Sequence, residues 1–327
     1  MKNLFITFFF LFSASLNASE IYARTLLNIN DSELVWEEKC SVPFDEMIVS
    51  WSSSRPEKGN ILIQLSVRLP ETEWSDWYDY AFWGYSEQHS YKHNAANLKV
   101  FQDALEILNG KKAIGFRIRV IAQEGAKLNG FRTLYACLTD LKSHTVKVGE
   151  RKDAQPLLPV QGLSQMALKD DLSKRICSAT STTAVLRYLK PERYNPVDFA
   201  NKVYDTAFDI YGNWVLNTAQ AASMLDWPWH CFVCRLTSFD DIIASLEKGQ
   251  PVVLSIRGPL NGSALPYESG HLVVVRGYDS INRKVHCMDP AFPTDDQTLV
   301  QYDLEDFVAA WKRRNGVAYL FCKEETP

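Results

Sequence analysis

Apolar and polar residues alternate along much of the segment from Cys40 to Leu141, the pattern of strands with one buried face. Residues 46–51, 60–68 and 115–121 carry it most clearly. In the last of these Phe116, Ile118 and Val120 point one way and Arg117 and Arg119 the other, so one face is core and the other meets water. Turn-forming residues at 55–59 and 124–125 sit between the runs, as hairpin or sandwich connections do. Residues 19–141 are expected to form an all-β, sandwich-like domain.

Beyond residue 160 the period lengthens. Ala179, Thr183, Leu186 and Leu189 recur at helical spacing, as do Phe199, Val203 and Ala207, and then Ile242 and Leu246. Pro196 suits the first turn of the second helix, where its missing N–H is not needed. β-rich runs follow at 251–256, 271–276, 284–288 and 316–321, with a helix expected around 304–312. Helices first and strands afterwards predict an α+β domain over 160–327. Between the halves, residues 142–159 are polar and end in Pro156 and Pro159, which predicts a linker and a domain boundary near residue 150.

A length of 327 residues suits two domains better than one core. Hydrophobic residues at 46% and charged residues at 23% exclude a disordered or polytopic membrane chain. A formal net charge of -4 offers no basic footprint for nucleic acid. At the N-terminus, Lys2 precedes an apolar stretch from Leu4 to Phe12 that fades into small and polar residues up to Ala18. That is the layout of a signal peptide over residues 1–18, shorter than the roughly 20 apolar residues of a membrane span. The mature protein is expected to be secreted or to reside in the periplasm or cell envelope, with no integral membrane segment.

Seven cysteines in an oxidising compartment leave at least one unpaired, and Cys177 is the candidate free thiol. Cys40 and Cys137 could pair in the first domain, leaving Cys231, Cys234, Cys287 and Cys322 to the second. The spacing Cys231-Phe-Val-Cys234 stands without a second such pair, so structural thiols or disulfides are expected there, with no metal and no cofactor. The cluster Trp74, Trp77, Tyr78, Tyr80, Phe82, Trp83 and Tyr85 suits either a sugar-stacking surface for cell-envelope glycan or the packing of large aromatics. Packing is the preferred reading.

Cys177 opens the helix expected over 178–189, where unpaired backbone N–H groups and the positive end of the helix dipole stabilise a thiolate. A nucleophilic thiol needs a base. Of six histidines, His271 follows Gly270 and opens an apolar strand, from whose end an imidazole can project into a cleft; His286, mid-strand, is the fallback. Asp289 ends the following strand, which antiparallel pairing would bring back beside His271, so it suits the orienter of the base. Gln165 is the candidate side-chain donor to an oxyanion, with Gln161 as its rival. Asn213 and Trp214 are candidates for lining a substrate groove, with a structural tryptophan the preferred reading of Trp214.

Four stretches carry a resemblance: Leu158-Pro-Val-Gln-Gly-Leu-Ser-Gln165, Ile176-Cys-Ser-Ala-Thr-Ser-Thr-Thr-Ala-Val-Leu186, Ser269-Gly-His-Leu-Val-Val-Val-Arg-Gly-Tyr278 and Met288-Asp-Pro-Ala291. Together they resemble the bacteriocin-leader-processing peptidases of the papain-like clan. Ile210-Tyr-Gly-Asn-Trp214 and Asn217-Thr-Ala219 resemble the exported, stand-alone members that carry a β-rich N-terminal domain. The resemblance implies an α+β papain-like cysteine peptidase domain preceded by the β domain. It also implies Gln165, Cys177, His271 and Asp289 as oxyanion donor, nucleophile, base and orienter, and a peptide or protein substrate. No transporter accompanies the motifs, so the double-glycine leader is not carried over as substrate, and Ser178 stands where many relatives have glycine. An acyltransferase on the same residues, or an inactive domain binding glycan or peptide, are the alternatives.

Overall fold

Strands of alternating burial build the first half of the chain into two antiparallel sheets. In the computed structural model, residues 18–26, 29–70, 73–168 and 171–323 are described, so nearly all of the expected signal peptide lies outside them. The strands in chain order are β1 (Ser19–Thr25), β2 (Glu33–Phe44), β3 (Glu46–Ser53), β4 (Asn60–Arg68), β5 (Tyr78–Gly84), β6 (Gln88–Ser90), β7 (Lys92–Asn94), β8 (Leu98–Phe101), β9 (Ala104–Ile107), β10 (Ala113–Gln123) and β11 (Phe131–Thr139). One sheet runs β1-β11-β3-β9-β8-β7 and the other β2-β10-β4-β5-β6. Phe116, Ile118 and Val120 are fully buried on β10, whereas Arg117 and Arg119 are half-buried on its other face. The sheets close on each other as a sandwich: Trp51 of β3 meets Trp83 of β5 edge-on at 5.9 Å, and Tyr22 of β1 meets Phe116 of β10 at 5.7 Å.

The contacts within the chain divide it into two units, and the division does not follow the sequence simply. Residues up to His144 form the first unit together with Tyr204–Ser223; Thr145–Val203 and the chain from Met224 onward form the second. Helices α1 (Cys177–Leu189) and α2 (Pro196–Val203) lead up to that excursion, and α3 (Trp214–Leu225) lies mostly within it. The helix expected to reach Ala207 stops at Val203, because from Tyr204 the backbone is taken up by the first unit. Gln88 donates its amide to the Tyr204 carbonyl at 2.6 Å, and the buried Asp205 accepts from the Ser90 hydroxyl and from Asn213 Nδ2. Asp103 accepts the backbone N–H of Trp214 at 2.6 Å and so caps α3.

The second unit is a single antiparallel sheet with helices against it. After α3 come β12 (Trp229–Arg235), α4 (Phe239–Glu247), β13 (Val252–Ile256), β14 (His271–Asp279), β15 (Lys284–Met288), β16 (Leu299–Asp303), α5 (Leu304–Lys312) and β17 (Val317–Lys323). The strand order is β12-β17-β13-β14-β15-β16. β13 is buried along its whole length, as a strand covered on both faces is, and α1, α4 and α5 all pack on it. The polar stretch 142–159 does not span open space within this unit. Lys147 pairs with the backbone of Thr237 and Phe239, Asp240 accepts the N–H groups of Glu150 and Arg151, and Arg151 makes a bidentate pair with Glu247 at 2.7 Å. Charged residues here grip the start and flank of α4. The architecture is α+β, a β-sandwich followed by a helix-covered sheet.

Candidate active site

Three elements of the second unit converge. Cys177 is the first residue of α1. Residues 178–186 of that helix are buried and mostly small, which lets its start lie close on the sheet. Ser178 shares a hydrogen bond with the Tyr319 hydroxyl at 3.0 Å, and Ser181 donates to the Leu272 carbonyl at 2.9 Å. His271 is the first residue of β14, opposite Ile256 of β13, and it follows Gly270, whose φ of +103° favours glycine. β15 returns antiparallel to β14, pairing Val274 with Met288, and so brings the next residue, Asp289, back to the imidazole.

His271 Nε2 lies 2.8 Å from Asp289 Oδ1. Facing a carboxylate, which only accepts, that nitrogen donates. The same ring shares a side-chain hydrogen bond with the Cys177 sulfur, for which Nδ1 is the nitrogen left. Cys177 is half-buried, while His271 is buried and Asp289 has no exposed surface. The result is a run from a sealed carboxylate through a buried imidazole to Cys177, a residue that keeps part of its surface exposed.

The electrostatics follow from competing causes. Burial by itself raises the Cys177 thiol, but the hydrogen bond and charge of His271, with backbone hydrogen bonds from Leu272 and Ser178, outweigh it and bring the thiol below its ordinary value. Burial pulls His271 down, yet the charge and hydrogen bond of Asp289, together with Cys177, raise it to about 10. Desolvation pushes Asp289 up, and His271, Tyr302 and the Ala291 N–H pull it below the usual carboxylate range. By contrast, burial drives Cys40, Cys231, Cys287 and Cys322 upward. Such thiols stay protonated and unreactive, whereas the Cys177–His271 pair favours thiolate and imidazolium.

The other residues singled out from sequence divide. Gln165 is buried and its backbone N–H donates to the carbonyl of Pro290, beside Asp289. Its amide nitrogen donates to the Ser173 carbonyl at 2.7 Å, leaving one further N–H, and its Oε1 has no partner among the described residues. Gln161 is exposed. His286 has its Nδ1 3.4 Å from Gln301 and is lowered by burial and by Arg276, apart from the relay. Asn213 corrects the expectation of a groove-lining residue: it is fully buried, with its amide nitrogen on Asp205 and its oxygen capping Leu216 N–H of α3. Trp214 belongs to the same first-unit cap, its N–H held by Asp103. Among the clustered aromatics, Tyr80 and Trp83 are core, and the half-buried Trp74 and Trp77 have Arg117 and Arg119 guanidinium groups stacked on them at 4.3 to 4.7 Å. Packing accounts for these rings.

Two residues escaped the sequence reading. Tyr267 and Tyr302 both donate their hydroxyls to Asp289 Oδ2, at 2.8 and 2.7 Å. Tyr302 is the one buried position of β16, so that strand shows no alternation to announce it. Tyr267 lies four residues before His271 in an irregular segment; its only signal is an aromatic close to the candidate base.

Residues 157–319, which contain Cys177, His271 and Asp289, match the Peptidase C39-like family, and residues 36–129 match the Peptidase C39 N-terminal domain. The chain belongs to the C39-like peptidase family. A crystal structure of a Bacillus anthracis protein described as a C39-like peptidase is 20% identical, with a TM-score of 0.41, and covers 53% of this chain and 100% of its own. No curated protein matches the chain. The region matched to the C39-like family includes Tyr204–Ser223, the excursion that packs with the first unit. Among the described residues, no helix is long and apolar enough to cross a membrane.

Proposed function

We propose that this C39-like protein is an exported cysteine peptidase or amidase in which Cys177 is the nucleophile, His271 the acid and base, and Asp289 the orienter. The observation that carries the reading is the hydrogen-bonded run Asp289–His271–Cys177 ending in a cysteine at the start of a helix. The thiolate attacks the carbonyl carbon of a peptide or amide, forming a C–S bond and pushing the electron pair onto oxygen. The Cys177 backbone N–H and the remaining amide N–H of Gln165 are the donors suited to that oxyanion. Imidazolium His271 gives its proton to the leaving nitrogen as the C–N bond breaks, leaving a thioester. Water then attacks the thioester, its proton passes to His271, and the acid leaves with the thiolate restored. Export rests on the N-terminal layout Lys2, Leu4 to Phe12 and Ala18.

The test is incubation of the purified mature protein with a peptide library under reducing conditions, with cleaved bonds identified by mass spectrometry. Cys177→Ala is expected to lower turnover by about 10⁴-fold or more with the melting temperature preserved. Parent-like cleavage by that variant refutes the mechanism, and products joined to an added amine instead of water would make the chain a transferase.

A further inference from the structure

The segment between β13 and β14 holds a strained aromatic against the base. Tyr267 has a φ of +53°, a left-handed conformation that costs a bulky residue on the order of 1–2 kcal/mol and persists only where surroundings impose it. Its carbonyl accepts from both Gly258 N and Gly270 N at 3.1 Å. Gly258 can approach because a Cβ there would lie 1.7 Å from the Pro266 carbonyl oxygen. The ring so fixed is stacked on the His271 imidazole, with centroids 4.0 Å apart and planes inclined by 15°. Its hydroxyl reaches past the imidazole to Asp289 Oδ2 at 2.8 Å. One side chain thus touches both partners of the relay behind the thiol.

We infer that Tyr267 is a positioning residue: its ring face holds the His271 imidazole in the plane that meets Cys177 and favours the imidazolium, while its hydroxyl pins the Asp289 carboxylate. The inference rests on the peptidase reading but concerns a residue outside the nucleophile, base and orienter. The division of labour with Tyr302 follows from geometry. Tyr302 shares the Asp289 oxygen, and its ring stacks on Phe307, not on the imidazole. A flat aromatic face attracts a cation by its quadrupole, so the ring of Tyr267 favours the imidazolium that pairs with the Cys177 thiolate and that forms again during deacylation. The titratable groups around this pair are Cys177 on α1, Asp289 after β15, Tyr302 on β16 and Cys287 on β15.

The experiment compares Tyr267→Phe, Tyr267→Leu and Tyr302→Phe in the full chain. It reads kcat and KM on a cleaved peptide and the pH dependence of iodoacetamide alkylation at Cys177 by peptide mass spectrometry. Tyr267→Leu, which loses the ring face, is expected to lower kcat by about 10- to 100-fold with KM within about twofold. It should also move the acid limb of alkylation upward by about one pH unit. Tyr267→Phe keeps the face, so it should retain the parent's acid limb and recover most of kcat; Tyr302→Phe should leave that limb in place. Tyr267→Met, similar in bulk without a flat face, gives the same reading if the leucine variant does not fold. A Leu or Met variant with the parent's kcat and acid limb overturns the proposal. So does a loss of kcat that follows the melting temperature with the limb unmoved, since that marks a merely structural role. Alkylation needs no substrate, so a parent that cleaves nothing would sink the peptidase reading while the Tyr267 inference is still decided on Cys177.

Discussion

Each unit buries charge, and the two arrangements differ in how they end. In the first, Arg55 donates to the Gln220 and Gln88 side chains and to the Gly84 carbonyl, and its guanidinium lies 4.0 Å over the Trp83 ring. Asp205, nearby in that unit's network, accepts from Ser90, Asn213 and Ala207. Every group in that net faces another member, and the effect is to tie Tyr204–Ser223 to the β-sandwich. In the second, Asp289 accepts from His271, Tyr267, Tyr302 and the Ala291 N–H, but the chain of bonds runs on through His271 and ends at Cys177, a residue that keeps part of its surface exposed. A closed net lowers the energy of one fold. An open-ended one leaves a group whose protonation and bonding can change, which is what chemistry requires.

The largest effect that could break this contrast is at the orienter. Asp289→Asn is expected to reduce kcat by about 10³-fold, because an amide no longer fixes the imidazole tautomer or balances imidazolium charge. The acid limb of Cys177 alkylation should then rise toward that of an ordinary thiol. A kcat within a few-fold of the parent would show that the open chain does not work as a relay. At the closed net, Arg55→Met retains bulk but strands the Gln88, Gln220 and Gly84 oxygens, and should cost about 3 kcal/mol in urea unfolding. The Cys177 alkylation profile should not move; a shift there would erase the distinction between the two regions.

The smallest effect is the dependence of stability on pH. The folded value of His271 is raised from 6.5 to about 10, so its attraction to Asp289 adds stability in full below about 6.5 and loses it as pH climbs toward and through about 10. The melting temperature should fall across that window by about 5 °C, and by less in Asp289→Asn. An equal fall in both proteins would place the titration elsewhere.

Much of the framework is legible in the chain. β10 was readable because Phe116, Ile118 and Val120 face the core while Arg117 and Arg119 do not, and α5 because its apolar residues recur at helical spacing. α3 was not, since Val215, Leu216, Asn217 and Thr218 are all buried and a helix enclosed on most sides shows little one-sided pattern. Asn213 and Trp214, candidates for a substrate groove by sequence, stand in a helix cap of the first unit. Cys177, His271 and Asp289 could be named by residue type and local context, but their shared hydrogen bonds depend on how α1, β14 and β15 dock.

By itself, then, the amino-acid order determined what is local: strand and helix periods, the cysteine at a helix start, the histidine at a strand start, and the motifs of the C39-like family. Only the tertiary structure decided that Tyr267 lies flat on His271, that Tyr302 closes on Asp289, and that Tyr204–Ser223 joins the first unit. The physical reason is that these contacts follow no regular period, whether they lie across a short irregular segment, as Tyr267 and His271 do, or far apart in the chain. Periodicity records which face of an element is buried, whereas these contacts join residues such as Ser90 and Asp205, 115 positions apart, whose meeting leaves no repeat in the chain for either segment to display.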